Sequence, residues 1–298
     1  MGKIMTSAYQ MTLEKWNPED DHFWENSGHR IARRNLWISI PCLTLAFSVW
    51  VLWSIVTLNL NNAGFSFSKD QLFLLTALPA LSGATLRIFY SFMPSIVGGR
   101  KWTTFSTATL LIPAIWLGIA VQDPTTPYPV MLTIALLCGF GGGNFSSSMA
   151  NISFFFPKSE KGNALALNAG LGNLGVSAVQ FAVPLVITAG VFGWLGGAPH
   201  VGKTASIWLQ NAAFIWVPFL VLAFILSVIF LRSLQMPTRG FMGQFEILSS
   251  RNRARVHTWN CTMTYICSFG SFSGFSAAFP MLIKALYGGF DGAPDPLQ

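Results

Sequence analysis

The sequence predicts an all-α membrane protein of seven spanning helices with a cytoplasmic N-terminus. Three observations lead there. Of the 298 residues, 52% are apolar and 10% charged, where a soluble domain carries about 25% charged residues. The mean hydropathy is +0.51. The charges fall in short clusters between long uncharged stretches, as they must where a charge at the bilayer centre is costly. A soluble enzyme, a disordered chain and a nucleic-acid binder are thereby excluded, and the net charge of +7 matters less than where the charges stand.

The elements follow in order. Residues 1–34 form a mostly polar cytoplasmic segment, and no cleavable signal peptide is expected ahead of the first apolar run. Within it, Asn17-Pro18 followed by Glu19, Asp20 and Asp21 reads as the start of a short surface helix, with acids at its positive end. A spanning helix needs roughly 20 apolar residues. Seven runs qualify, at 35–60, 71–97, 102–121, 129–156, 162–192, 207–231 and 257–283. They are too long and too uniformly apolar for barrel strands. The basic, polar stretch 232–256 reads as a cytoplasmic loop joining two halves, a six-helix unit over 35–231 and a segment 257–298 that opens a second one.

Orientation rests on Lys and Arg. With the N-terminus inside, 14 cations fall on inner segments (Lys3, Lys15, Arg30, Arg33, Arg34, Arg100, Lys101, Lys158, Lys161, Arg232, Arg239, Arg251, Arg253, Arg255) and 3 on outer ones (Lys69, Lys203, Lys284). That asymmetry sets the topology. It also argues against a heptahelical receptor, whose N-terminus is outside.

The remaining cation, Arg87, is the one ionisable acid or base deep in a span, about 15 Å from the inner end of span two at 1.5 Å per residue. All eleven carboxylates and the four His lie in loops or at span ends. A buried Arg normally has a counter-charge, and none is available, so the missing anion is read as substrate. The planar guanidinium suits a flat oxyanion such as nitrate or a carboxylate. An Arg bonded to backbone carbonyls or snorkelling to the interface is the alternative. Ala80, Gly83, Ala84 and Ser91 share its helical face and let another helix come close. The lack of intramembrane Asp, Glu and His favours exchange or facilitated movement over proton coupling.

Spans four and five carry a polar, glycine-rich stretch. Gly139 and Gly143 form a GxxxG pair beside Asn144 and Phe145; Asn168, Gly170, Gly172, Asn173 and Gly175 follow. Such a pattern serves close helix packing and interhelical hydrogen bonds, or lines a site with amides. Span seven adds Tyr265 and Phe269, one turn apart, which can wall a flat ligand or simply pack. Cys42, Cys138, Cys261 and Cys267 all fall in apolar stretches and read as small buried hydrophobes. No HExxH, P-loop or CxxC motif is present, and Gly270-Ser-Phe-Ser-Gly274 centres on Phe272, so no nucleophile elbow exists. No enzyme, cofactor or metal site is expected.

Three segments together carry a resemblance: Arg33-Arg34-Asn35-Leu36-Trp37; Leu72 to Pro79 with Arg87; and Asn144 to Pro157 followed by Ala169-Gly-Leu-Gly-Asn173. The chain resembles the NarK-type nitrate/nitrite porters of the major facilitator superfamily over residues ~17–285. The resemblance implies an N-terminal six-helix bundle plus the seventh helix, a multi-pass protein of the inner membrane. It implies a nitrate and nitrite site between two halves. Arg87 would pair with the anion, Phe145, Tyr265 and Phe269 would flank it, and Asn168 and Asn173 would line it. A second Arg would come from the other half. Ala166 and Ala169 stand where that family commonly has Gly. The sequence stops at Gln298, before an eighth span, so a missing C-terminal half is expected as partner, alongside lipid and without nucleic acid. A carrier of another small anion and a non-transporting anion sensor are the alternatives.

Overall fold

The computed structural model describes residues 12–13, 15–192, 196–201, 206–235 and 256–288. The expected loop 232–256 therefore lies mostly outside the described residues. Among those described, seven helical stretches are long and apolar enough to cross a membrane: Asp21–Leu60, Lys69–Tyr90, Pro94–Ala120, Tyr128–Phe155, Lys158–Val186, Asn211–Phe230 and Trp259–Tyr287. They are called spans one to seven.

Local chemistry explains the boundaries. Span two opens with a reciprocal capping box: the Gln71 N–H donates to Ser68 Oγ at 3.3 Å, and the Ser68 N–H to Gln71 Oε1 at 2.9 Å. Its α-helix ends at Tyr90 rather than near 97. Pro94 has no N–H for the Tyr90 carbonyl, so the ladder breaks there. A π-helical turn, Pro94–Gly98, carries the chain on, and Gly98 at φ 95° turns the backbone into the next helix, Gly99–Thr109. Spans four and five meet at Phe156-Pro157, because the residue before a proline avoids the helical region; Phe156 sits at φ −104°, ψ 143°.

The N-terminal segment departs from the expected separate surface helix. Asp20, not Asn17, caps the helix, its Oδ1 accepting from the His22 and Phe23 N–H groups. The single turn Asp21–Phe23 then runs through a π turn, Trp24–Gly28, straight into the helix His29–Val51. Arg30, Arg33 and Arg34 therefore belong to span one itself. Side chains fasten this entry to span five: Trp24 Nε1 donates to Glu160 Oε1 at 3.0 Å, and the Lys158 N–H to Glu19 Oε1 at 3.0 Å. Thr12–Leu13 pairs parallel with Ser233–Leu234, just past span six.

Span one is the hub, with spans two, four, five and six packed around it. Its centre is mostly apolar, with Phe47, Leu52, Trp53 and Leu58 among the most buried side chains, and its buried Ser48, Ser54 and Thr57 hydroxyls bond backbone carbonyls. Glycines set how closely its neighbours approach. A Cβ on Gly141 would stand 2.0 Å from the Ala46 carbonyl oxygen, and one on Gly175 would stand 2.0 Å from that of Thr44. Span seven, on the helix Val256–Tyr287, is the least covered. Gln180 Nε2 reaches the Ser276 carbonyl at 2.8 Å, and Lys284 Nζ bonds the Leu58 carbonyl. The cysteine expectation holds for half the set: Cys42 and Cys138 are buried, while Cys261 and Cys267 are exposed on that helix. A helix with few neighbours cannot bury both sides of itself.

Candidate anion site

Arg87 sits in the last turn of the span-two α-helix, half-buried. It therefore stands nearer an α-helical end than the sequence indicated. Its Nε donates to the Gly142 carbonyl at 3.0 Å, so one donor does serve a backbone oxygen. Its Nη2 is buried and has no hydrogen-bond partner. Among the described residues no carboxylate pairs with it. Among the described residues the carboxylates stand in loops or near helix starts; Asp123, for example, accepts from the Thr125 hydroxyl and N–H, which hold its carboxyl below the usual carboxylate value.

The guanidinium is boxed by aromatic faces. Its central carbon lies 4.6 Å from the Phe269 ring centroid, 5.1 Å from Phe145 and 5.8 Å from Trp50. Cations are attracted to such faces. The rings are themselves ordered. Tyr265 and Phe269 stack at 5.3 Å and 5° between planes, and Phe145 lies parallel to Phe269 at 5.7 Å and 22°. Each ring comes from a different logic of the chain. Phe145 leaves span four beside the glycines that let spans two and four touch, where Ser146 Oγ donates to the Arg87 carbonyl at 2.9 Å. Tyr265 and Phe269 follow from the i, i+4 spacing of span seven. Trp50 is held from span one by its Nε1 bond to the Pro79 carbonyl, 2.8 Å.

Between spans one, two and seven opens a cavity of about 230 Å³, lined by Arg87, Trp50, Ala80, Ala84, Tyr265, Phe269 and Ser273. The small face of span two, Ala80 and Ala84, makes the room. A cation with a spare donor, flat apolar walls and no competing carboxylate can hold a flat monovalent oxyanion. Walls of this kind admit a planar ligand edge-on to the guanidinium and offer no proton donor or acceptor of the Asp, Glu or His type.

The structure brings together Arg87, Phe145, Tyr265 and Phe269. It does not bring Asn168 and Asn173 to them. Asn168 is fully buried and donates to Ser148 Oγ at 2.9 Å, tying span five to span four. It shares a face with Gly172 and Gly175, and that face packs against Leu43 and Thr44 of span one. Asn173 Nδ2 returns to the Ala169 carbonyl of its own helix at 2.8 Å. Asn144 lies elsewhere again, in a small polar cleft with Ser39 and Thr107. Of the glycines, Gly139 and Gly143 face span two, where added methyls would strike Ser82 and Tyr90, and Gly172 and Gly175 face span one. Gly170 is a correction: it is exposed, and a Cβ there would meet nothing within 4 Å. Ala166 is likewise exposed and Ala169 half-buried, so neither methyl crowds a neighbour of this chain closely enough to close the cavity. Trp50 was missed by sequence reasoning. Nothing distinguishes it from Trp37 or Trp53 until its partner Pro79 is known.

The seven long apolar helices are those of a polytopic membrane protein, with a cationic pocket between span seven and the first two spans. The family model for the Major Facilitator Superfamily matches residues 38–293, and the chain belongs to that family. It is 55% identical over 278 residues to the nitrate/nitrite transporter NarU of Escherichia coli K12, covering 92% of this chain and 59% of that protein. It is 53% identical over 277 residues to NarU of Salmonella typhimurium, again 59% of its length. The nitrite extrusion protein of Bacillus subtilis is 30% identical over 170 residues, 55% of this chain. The chain thus spans about three fifths of the length of the two NarU relatives.

Proposed function

We propose that the chain carries the anion-binding half of a nitrate/nitrite transporter of the inner membrane, working by alternating access with nitrate and nitrite exchanged at Arg87. The observation that carries the reading is the unpartnered Arg87 Nη2 between parallel aromatic faces, beside a cavity with no carboxylate. Nitrate is planar and monovalent. Two of its oxygens match the guanidinium edge, and its face matches the Phe145 and Phe269 rings. Support also comes from the relatives, which are named as nitrate/nitrite transporters. The cytoplasmic N-terminus follows from the 14-to-3 cation asymmetry. A second six-helix half completes the site.

Exchange, rather than proton coupling, follows from the chemistry of the spans. A proton relay usually runs through Asp, Glu or His in the membrane path, and the cavity lining holds none of the three. The anion neutralises Arg87 while the carrier turns over. An empty carrier would carry a bare, desolvated cation across, which is costly. Loaded states therefore interconvert more readily than the empty one, and that is the condition for exchange.

The test is nitrate/nitrite counterflow and nitrate binding in membranes reconstituted with the completing half present, comparing the wild type with Arg87→Leu. Loss of both, with the protein still inserted, is expected. Unchanged binding in Arg87→Leu sinks the reading.

A further inference from the structure

The exposed surface of span one carries a feature that the anion site does not use. Arg30, Arg33, Arg34, Trp37, Pro41 and Thr44 recur at helical spacing and form one stripe. Arg30, Arg33 and Trp37 are exposed, with Trp37 at 55%. The lower part of the stripe opens into an apolar groove of about 360 Å³ between spans one, five and six, walled by Pro41, Leu171, Leu174, Phe219 and Leu222. The groove stays apolar because the Thr44 hydroxyl is already spent on the Ile40 and Leu171 carbonyls, at 2.9 and 3.1 Å. Its size falls within the range of ligand cavities, roughly 300–1,000 Å³.

We infer that this stripe and groove form a binding site for one anionic phospholipid, its phosphate held by Arg30, Arg33 and Arg34 and an acyl chain lying in the groove. Charge complementarity favours this occupant. The three guanidinium groups meet no carboxylate among the described residues. Of the acids at this entry, Glu160 is engaged by Trp24 and Glu19 by the Lys158 N–H, while Asp21 and Glu25 stand exposed ahead of Arg30. Arg34 Nε is buried and without a hydrogen-bond partner. The spacing also fits. At 1.5 Å per residue, Arg33 and Arg34 stand roughly 10–12 Å along the axis from Pro41, the offset between a phosphate and the upper part of its acyl chain. Trp37 lies between, where interfacial indoles sit. A zwitterionic lipid offers the same chain but no net charge to the cluster.

The experiment presents the protein, extracted in mild detergent, with mixed phosphatidylglycerol and phosphatidylcholine, and counts retained lipids by native mass spectrometry. One phosphatidylglycerol is expected to be retained, at least about tenfold over phosphatidylcholine. The combined variant Arg30→Gln, Arg33→Gln, Arg34→Gln lowers retention by about tenfold or more, since each cation near anionic headgroups counts several-fold. Leu174→Trp fills the groove, leaves every charge in place, and lowers retention too. Combined Arg→Lys replacement keeps most of it, and that variant serves if the Gln variant fails to insert. Equal retention of the two lipids overturns the inference. So does unchanged retention in Leu174→Trp, which would make the arginines a general basic surface.

Discussion

Arg87 and Asn168 are both strongly polar side chains set in apolar helices, yet the bundle treats them differently. Asn168 is walled in: its Nδ2 donates to Ser148 Oγ, its Oδ1 is buried without a hydrogen-bond partner, and its helix face is pressed on span one with no cavity beside it. Arg87 is left half open, one donor tied to Gly142 and another unpartnered beside a cavity. The difference teaches how to tell glue from site. A polar group enclosed by packed neighbours contributes to packing. A polar group whose capacity faces a cavity is available to a ligand.

The largest expected effect tests the open side of this contrast. Arg87→Lys keeps the charge and loses the fork, the second donor and the flat face that stacks with the rings. Nitrate affinity should fall by about 100-fold, read by binding in membranes. Near wild-type affinity would mean that only charge matters there. Next comes the sealed side. Gly141→Ala places a methyl against the Ala46 backbone and should cost about 1–3 kcal/mol, seen as a lower unfolding temperature in detergent. The same change at Gly170, where nothing lies within 4 Å, should cost almost nothing, and equal losses at the two sites would refute the packing account.

Phe269→Ala removes the ring nearest Arg87 and should weaken nitrate binding roughly 5- to 10-fold, in line with cation–π and stacking contributions of about 1 kcal/mol. The smallest effect belongs to Asn168→Ala. It should lower stability by about 0.6 kcal/mol, the usual size of an interhelical hydrogen bond in a membrane, and leave nitrate affinity within about twofold. If affinity instead falls as far as in Arg87→Lys, the contrast between glue and site is broken and the span-five amide reaches the anion in another state of the carrier.

Much of this was legible before any coordinates. The spans were readable because apolar length is a one-dimensional property, and span four was placed to within one residue of its observed limits, Tyr128–Phe155. Two boundaries depart from the apolar runs: Pro94 ends the span-two α-helix early, and helical continuity absorbs the N-terminal arm into span one. Arg87 was legible because it is the one cation that falls deep in an apolar run with no carboxylate in the spans to pair with it, and Tyr265 with Phe269 because their spacing fixes a shared face. Gly170 misled because a glycine in a rich stretch looks like its neighbours; only the exposed side of span five separates it from Gly172.

The sequence by itself determined the class of protein, the number of spans and the side chains from which an anion site could be made. Helical period and hydropathy are local, so a single chain states them outright. Which polar groups stay open was decided only in three dimensions. A helix presents several faces, and whether Asn168 meets Ser148 or a ligand, or whether Trp50 rather than Trp53 walls the cavity, depends on which neighbour packs on each face. That choice is made by close approaches, Gly141 on Ala46 and Gly175 on Thr44, between residues far apart in the chain.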